Sequence, residues 1–229
     1  MNIQQLNETI LKTLSAWNIP GAAVVVLNDD DIFTQGYGVL EADKSETVDA
    51  DTIFAIGSTT KSFTSTLIGM LVDEGELDWD DPVVKFLPDF ELYDSWVTKN
   101  VTVRDLLCHR LGLERAQRIY YHRGYSQRDL MHHMKYLKPV AEFRTQFHYA
   151  NQQFGVAGLI IEAITGKTWD DFISERIFNV LRMSRSSSGY DRVREYHNLA
   201  SPHVVLDETY PASVRFLGEM GTFENYKLS

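Results

Sequence analysis

The sequence predicts an α+β fold, a partial antiparallel sheet joined to a longer helical region. Three observations carry that prediction. An apolar stripe runs at helical spacing near the N-terminus, two β-branched runs flank a polar turn, and a succession of helical patterns follows, separated by Gly-, Pro- and Asp-rich connectors.

In chain order, Ile3, Leu6, Ile10 and Leu14 step by three and four, giving one apolar face to a helix that ends near Asn18-Ile19-Pro20-Gly21. Residues 22–27, Ala-Ala-Val-Val-Val-Leu, are too brief for a helix and read as a strand. The run Asn28-Asp29-Asp30-Asp31 is a turn, and 32–39 is the second strand of a hairpin. After the polar stretch 41–51, helices are expected over 59–74 (stopping at Gly75), 102–108, 127–137, 152–165 and 169–181. Beyond Met183 the pattern decays, apart from a strand around His203 to Leu206. The expected organisation is one domain over 1–183, with helix and hairpin in 1–57 and a mainly helical region in 58–183, followed by an irregular tail, 184–229.

Composition narrows the function classes. Twelve Phe, eleven Tyr and four Trp supply the bulk for a core. A net charge of −10 without a basic stripe argues against a nucleic-acid partner, because phosphate neutralisation needs clustered Lys and Arg. Arg115, Arg118, Arg123 and Arg128 are scattered through a Tyr- and His-rich stretch and read as a solvated surface. The single cysteine, Cys108, excludes an intrachain disulfide; following Leu106 and Leu107, it reads as a buried thiol. The N-terminus lacks a basic region and an apolar core of signal type, and no apolar run approaches the ~20 residues of a membrane span. As written, the chain reads as cytoplasmic with no membrane partner. His132 and His133 are adjacent and cannot share a helix face. No Cys/His cluster has zinc spacing and no Gly-rich phosphate loop occurs, so neither a metal nor a cofactor is expected.

The run 54–64, Phe-Ala-Ile-Gly-Ser-Thr-Thr-Lys-Ser-Phe-Thr, carries the chemistry. Ser58 and Lys61 stand three apart where a strand-like approach becomes helical, which puts both on one face of the first turn. A hydroxyl is a poor nucleophile at neutral pH, and a desolvated lysine beside it can act as its base. Gly57 lets backbone approach closely, and Thr59 and Thr60 are expected to leave free helix N–H groups next to the serine, where negative charge would develop.

The stretch 53–64 resembles the nucleophile segment of the serine β-lactamase and penicillin-binding-protein superfamily. It is most similar to the branch with class C β-lactamases, β-lactamase-fold esterases and D-amino-acid peptidases. The resemblance continues through Gly75-Glu76-Leu77-Asp78 to Pro82-Val83, Phe86-Leu87-Pro88, and Val101 to His109 with Gly112-Leu113, and covers about residues 5–183. It implies a β-lactamase-like (DD-peptidase-like) fold. The branch's second motif, Tyr-x-Asn, is matched by Tyr149-Ala150-Asn151, with Tyr149 sharing the serine proton with Lys61 and Asn151 holding a substrate amide or carboxyl group. Tyr196-His197-Asn198 has the same spacing, but only 149–151 precedes an amphipathic helix, as the family pattern requires. A phenol of ordinary pKa about 10 needs nearby positive charge to serve as a base, and Lys61 is the candidate.

The chain departs from that pattern in three places. Phe143-Arg144-Thr145 stands where Pro-Gly-Thr is common, and Leu181-Arg182-Met183 where Leu-Gly-Met is usual. No Lys-Thr-Gly or His-x-Gly follows Tyr149: Lys167-Thr168 precedes Trp169, and His122-Arg123-Gly124 comes too early in the chain. That strand supplies the second oxyanion N–H in the family, so the reading is of a chain truncated at its C-terminus. The hairpin would then keep an unpaired edge open to self-association. The resemblance implies a serine hydrolase forming an acyl-enzyme with a small-molecule substrate: a β-lactam, a small ester or a D-amino-acid peptide. The rival reading is a catalytically silent homologue acting as a binding or interaction module, or one completed by a partner chain.

Overall fold

The computed structural model describes residues 2–29, 31–115, 125–188, 193, 196–205 and 214–215. They divide into two compact units, one within Met1–Ala55 and Asp191–Thr222, the other within Ile56–Tyr190.

In the first unit, α1 (Ile3–Ala16) starts at Asn2, whose side chain accepts the Gln5 N–H. It stops where Asn18 takes a left-handed φ of 51°, a conformation Asn tolerates better than most residues. β1 (Gly21–Asn28) and β2 (Asp31–Gly38) pair antiparallel from Gly21↔Gly38 to Asn28↔Asp31. The alternation puts Val24, Val26 and Phe33 on a half-buried face and leaves Val25, Leu27 and Ile32 on the other, 56%, 69% and 70% exposed. The Tyr37 hydroxyl donates to Asn7 of α1. Part of the expected irregular tail is hydrogen-bonded into this unit: Leu199 bridges Ile53, Ser201 N–H donates to Leu40, and Ala42 N–H donates to His203. The strand expected near His203 is β3 (Val204–Val205), antiparallel to β4 (Val214–Arg215). Asn198 of the alternative Tyr-x-Asn accepts from Thr52 and donates to Asp49 in this unit.

The second unit is helical. α2 (Thr60–Asp73) ends before Gly75, whose φ of +78° stops the helix. The sequence reading misses α3 (Ser95–Asn100), a helix too short to show periodicity, which starts where Asp94 caps the Trp96 and Val97 amides. Reciprocal caps open α4 (Val103–Leu107), through Thr102 and Asp105, and α5 (Gln127–His133), through Ser126 and Asp129. α6 (Asn151–Thr165) ends at Gly166 with φ +67°. The helix expected over 169–181 is shorter, α7 (Trp169–Ile173) followed by one wide π turn, Ser174–Phe178.

The core lies where α2 meets α6. Leu67, Ile68 and Leu71 of α2, Val156, Ile160 and Ile161 of α6, and Leu106, Met131 and Met134 around them are all at most 2% exposed. Each such side chain contributes on the order of 1.5–3 kcal/mol over its exposed state. Cys108 corrects the sequence reading. It is exposed, because it caps the C-terminal end of α4, two positions past the inward-facing Leu106. Among the described residues no helix is long and apolar enough to cross a membrane.

Candidate active site

Ser58 sits in a 3₁₀ turn, Gly57–Thr59, that leads directly into α2, and Lys61 lies in the first turn of that helix. Two details of the sequence reading change here. The Thr59 and Thr60 amides are not free, since they donate to the Ile56 and Gly57 carbonyls within the turn. Gly57 is required for its φ of +52° and not for space, because a Cβ there would meet nothing within 4 Å.

Lys61 is 9% exposed, and its Nζ lies 3.3 Å from Ser58 Oγ. The ammonium also lies 5.0 Å from the Tyr149 ring centre and 5.6 Å from that of Phe154. Tyr149 arrives from 91 residues away and places its Oη 2.5 Å from Ser58 Oγ. Asn151 opens α6, and its Oδ1 is buried without a hydrogen-bond partner among the described residues. Three of the four site residues expected from sequence therefore meet at one hydroxyl, and the fourth sits two residues after Tyr149 with an unused acceptor.

The position of Tyr149 is set by residues that the sequence reading did not connect with it. His109, buried and at φ +55°, holds the tyrosine on both sides: its carbonyl accepts the His148 N–H at 2.8 Å, and its Nδ1 accepts the Ala150 N–H at 3.3 Å. Its ring also packs on the Tyr149 ring, with centroids 4.6 Å apart. A deeper anchor is Asp105, which is fully buried. Its carboxylate completes the α4 cap and takes Arg110 Nε at 2.5 Å and Arg144 Nη2 at 2.7 Å. Arg110 follows His109 and Arg144 precedes Tyr149, so one carboxylate ties together the two segments that present the phenol. The Arg144 N–H donates to the Arg110 carbonyl at 2.8 Å, closing the junction.

The electrostatics follow from this packing. Burial raises the Tyr149 phenol, but hydrogen bonds from Lys61 and Ser58 and the charges of Lys61 and Arg115 outweigh it, and the net displacement is below the ordinary phenol value. Burial, reinforced by the Lys61 charge, lowers His109 to about 4, so the ring is neutral at pH 7 and Nδ1 remains an acceptor. Burial pushes the Asp105 carboxyl up, yet Arg144, Thr102 and Arg110 together bring it below the usual range. Chemically, the site offers one hydroxyl facing two groups able to take and return its proton. The signal for His109 was available in the stretch Cys108 to Leu113, where it preceded a glycine turn. Nothing local in sequence pairs Asp105 with Arg144.

Residues 4–212 match the family model described as Beta-lactamase. The chain belongs to the beta-lactamase family. Among its relatives, an unguisins hydrolase of Aspergillus campestris (strain IBT 28561) is 36% identical over 189 residues, covering 79% of this chain and 35% of the relative. Penicillin-binding protein 4 of Amycolatopsis lactamdurans is 30% identical over 211 residues, covering 90% of this chain and 50% of its own. The chain thus spans half or less of the length of these two family members. Two solved structures share the fold. An octameric penicillin-binding protein homologue from Pyrococcus abyssi superposes with a TM-score of 0.80 at 26% identity, over 94% of this chain and 50% of that one. The D-amino acid amidase of Ochrobactrum anthropi SV3 gives a TM-score of 0.81 at 23% identity, over 98% and 64%.

Proposed function

We propose that this chain is a serine hydrolase that works through an acyl-enzyme. Ser58 Oγ bonds to a substrate carbonyl carbon while its proton passes to the Tyr149–Lys61 pair, which returns a proton to the leaving amine or alcohol as the scissile bond breaks. Water then adds to the ester on Ser58, the acid departs, and the serine hydroxyl is restored. The unused Oδ1 of Asn151 would accept a substrate amide N–H. The observation that carries this reading is the convergence of Lys61 Nζ and Tyr149 Oη on Ser58 Oγ, at 3.3 and 2.5 Å. The substrates it fits are a β-lactam, a small ester or a D-amino-acid peptide, in keeping with relatives named as a penicillin-binding protein and a hydrolase. Intact-mass spectrometry with a fluorescent penicillin or a fluorophosphonate tests it: one adduct is expected, absent in Ser58→Ala. In Tyr149→Phe it should form about 10²–10⁴ times more slowly. An adduct that persists in Ser58→Ala refutes the assignment.

A second reading, a family member that binds without turning over, draws on the lack of any Lys-Thr-Gly or His-x-Gly between residues 152 and 229. Removing one oxyanion donor costs about 10²–10³ in rate, so acylation without efficient turnover of nitrocefin or p-nitrophenyl esters is the outcome expected of this 229-residue chain. A kcat/KM of about 10⁴ M⁻¹s⁻¹ or more would instead mean that the chain, or a second copy, completes the site. Self-association through a hairpin edge that no other strand among the described residues pairs with is part of the same proposal, and light scattering on the purified chain measures it.

A further inference from the structure

Among the described residues Lys61 is the one lysine or arginine that is buried, and no carboxylate among them pairs with it. Lys12, Lys44, Lys99 and Lys138 make no ion pair among the described residues either, but all four are exposed and stay hydrated. A buried ammonium without a counter-ion is costly. What surrounds its Nζ instead is Ser58 Oγ at 3.3 Å, the Tyr149 phenol, and two ring faces, with the centre of Tyr149 at 5.0 Å and that of Phe154 at 5.6 Å. Phe154 differs from the other groups in having no proton to give or take. It is 4% exposed, lies in the first turn of α6, and rests on His109 with ring centres 5.1 Å apart. His109 packs in turn on Tyr149 at 4.6 Å, so three rings make one wall beside the ammonium. The wall does not repel Lys61, because burial keeps His109 neutral at pH 7. The other charged group in the neighbourhood is Arg115, 5.3 Å from the Tyr149 ring centre.

The negative face of an aromatic ring attracts a cation within about 6 Å, and more strongly where water is excluded. A carboxylate in the same place would attract the ammonium too. It would also cancel the positive field that favours the Tyr149 phenolate, and it would compete with Ser58 for the lysine N–H donors. We propose that Phe154 is a positioning residue whose ring face stands in for a counter-ion and holds the Lys61 ammonium against Ser58 and Tyr149 without neutralising it. For its effect on rate this rests on the acyl-enzyme reading above. It adds to that reading a residue that touches neither the nucleophile nor the substrate carbonyl and acts through the lysine.

Replacing Phe154 in the full chain by 4-fluoro-, 3,5-difluoro- and 3,4,5-trifluorophenylalanine tests the proposal. The series drains negative charge from the ring face in steps and hardly changes its size, so a packing role alone would not follow it. Two quantities are read: the rate of fluorophosphonate labelling at Ser58, and the titration of Tyr149 by NMR of ring-labelled tyrosine, assigned with Tyr149→Phe. The labelling rate should fall step by step, ending about three- to tenfold below the parent in the trifluoro chain. Tyr149 should titrate higher by about half a pH unit, because the Lys61 hydrogen bond and charge draw the phenol down and a looser ammonium releases it. Phe154→Leu removes the ring face and keeps apolar bulk, and it should lie at or beyond the end of the series, with urea midpoints confirming that each chain is folded. A flat series in both readouts overturns the proposal. So does a loss in Phe154→Leu that the fluorinated chains do not share, which would assign Phe154 to packing alone. Labelling at the parent rate throughout sinks the Phe154 proposal and leaves the acyl-enzyme standing. A titration that follows the series in chains that never label sinks the acyl-enzyme and leaves Phe154 in its role.

Discussion

The helical unit and the hairpin unit solve the burial problem differently. Helices α2 and α6 bury their apolar stripes on each other and on the loops around them, to the point that Leu67, Ile68, Ile160 and Ala157 have no exposed surface. The hairpin buries one face in part and leaves Val25, Leu27 and Ile32 in water, while α1 has no fully buried residue. A two-stranded ribbon is marginal unless something packs on it. All four candidate site residues belong to the unit with its own core. The lesson is that the placement of Ser58, Lys61 and Tyr149 depends on packing that the helical unit makes by itself, and that changes to the hairpin face should leave it intact.

The sharpest way to break this contrast is to truncate one side chain in each unit. Ile160→Ala should destabilise by about 2–5 kcal/mol, the transfer and cavity cost of a fully buried residue. Leu27→Ser, at a side chain 69% exposed, should stay within about 0.5 kcal/mol. Urea denaturation of both variants decides the matter. A large loss in Leu27→Ser would mean that the hairpin face is covered in solution, by a second copy or by some other partner.

A smaller effect sharpens the comparison from the side of charge. Buried His109 has a folded pKa of about 4 against an unfolded value near 6.5, so between these values the unfolded chain binds the extra proton. Stability from this residue is therefore complete above about pH 6.5 and lost as the pH falls towards 4, a total on the order of 2–3 kcal/mol. Protonation of Nδ1 would also remove the acceptor for the Ala150 N–H and loosen Tyr149. Denaturation at pH 7.5 and pH 5 should show the slope in the parent chain and a flatter one in His109→Phe. An equal slope in both would assign the acid sensitivity to other groups.

Much of this was legible in sequence, and the exceptions have physical causes. The helices with several turns of periodicity, α1, α2 and α6, and the hairpin with its polar turn were all expected, because local pattern and tertiary burial agree there. So was the approach of three side chains to one another: Ser58 and Lys61 are neighbours in the chain, and Tyr149 was singled out because a helix follows it. The 3₁₀ turn at Gly57–Thr59 was not, since its hydrogen bonds depend on the entry angle of the chain. Helix α3 was missed for lack of length. The exposure of Cys108 was misjudged because apolar neighbours on a five-residue helix say little about the side chain that caps it. The clamp of Asp105 on Arg110 and Arg144 was invisible, because a contact 39 residues apart leaves no local trace.

The two arginines that stand where glycine is usual in the family give the finest test of what a local departure from pattern means. Both adopt left-handed backbone, Arg144 at φ +68° and Arg182 at φ +57°. This conformation costs a residue with a Cβ roughly 1–2 kcal/mol, which explains the glycine preference. At Arg144 the strain is offset, because its side chain meets the buried Asp105 carboxylate twice and donates to the Asn100 carbonyl at 3.1 Å. Losing charge-assisted hydrogen bonds to a buried acceptor costs about 1.5–3 kcal/mol. Arg144→Gly should therefore gain nothing and should weaken the hold on Tyr149. At Arg182 no ion pair is present among the described residues, and glycine should relieve the strain while adding about 0.5–1 kcal/mol of backbone entropy cost. A net gain of about 0.5–1 kcal/mol is expected for Arg182→Gly, read from its urea midpoint. If Arg144→Gly were the stabilising variant and Arg182→Gly the damaging one, the clamp at Asp105 would not be what holds the tyrosine segment in place.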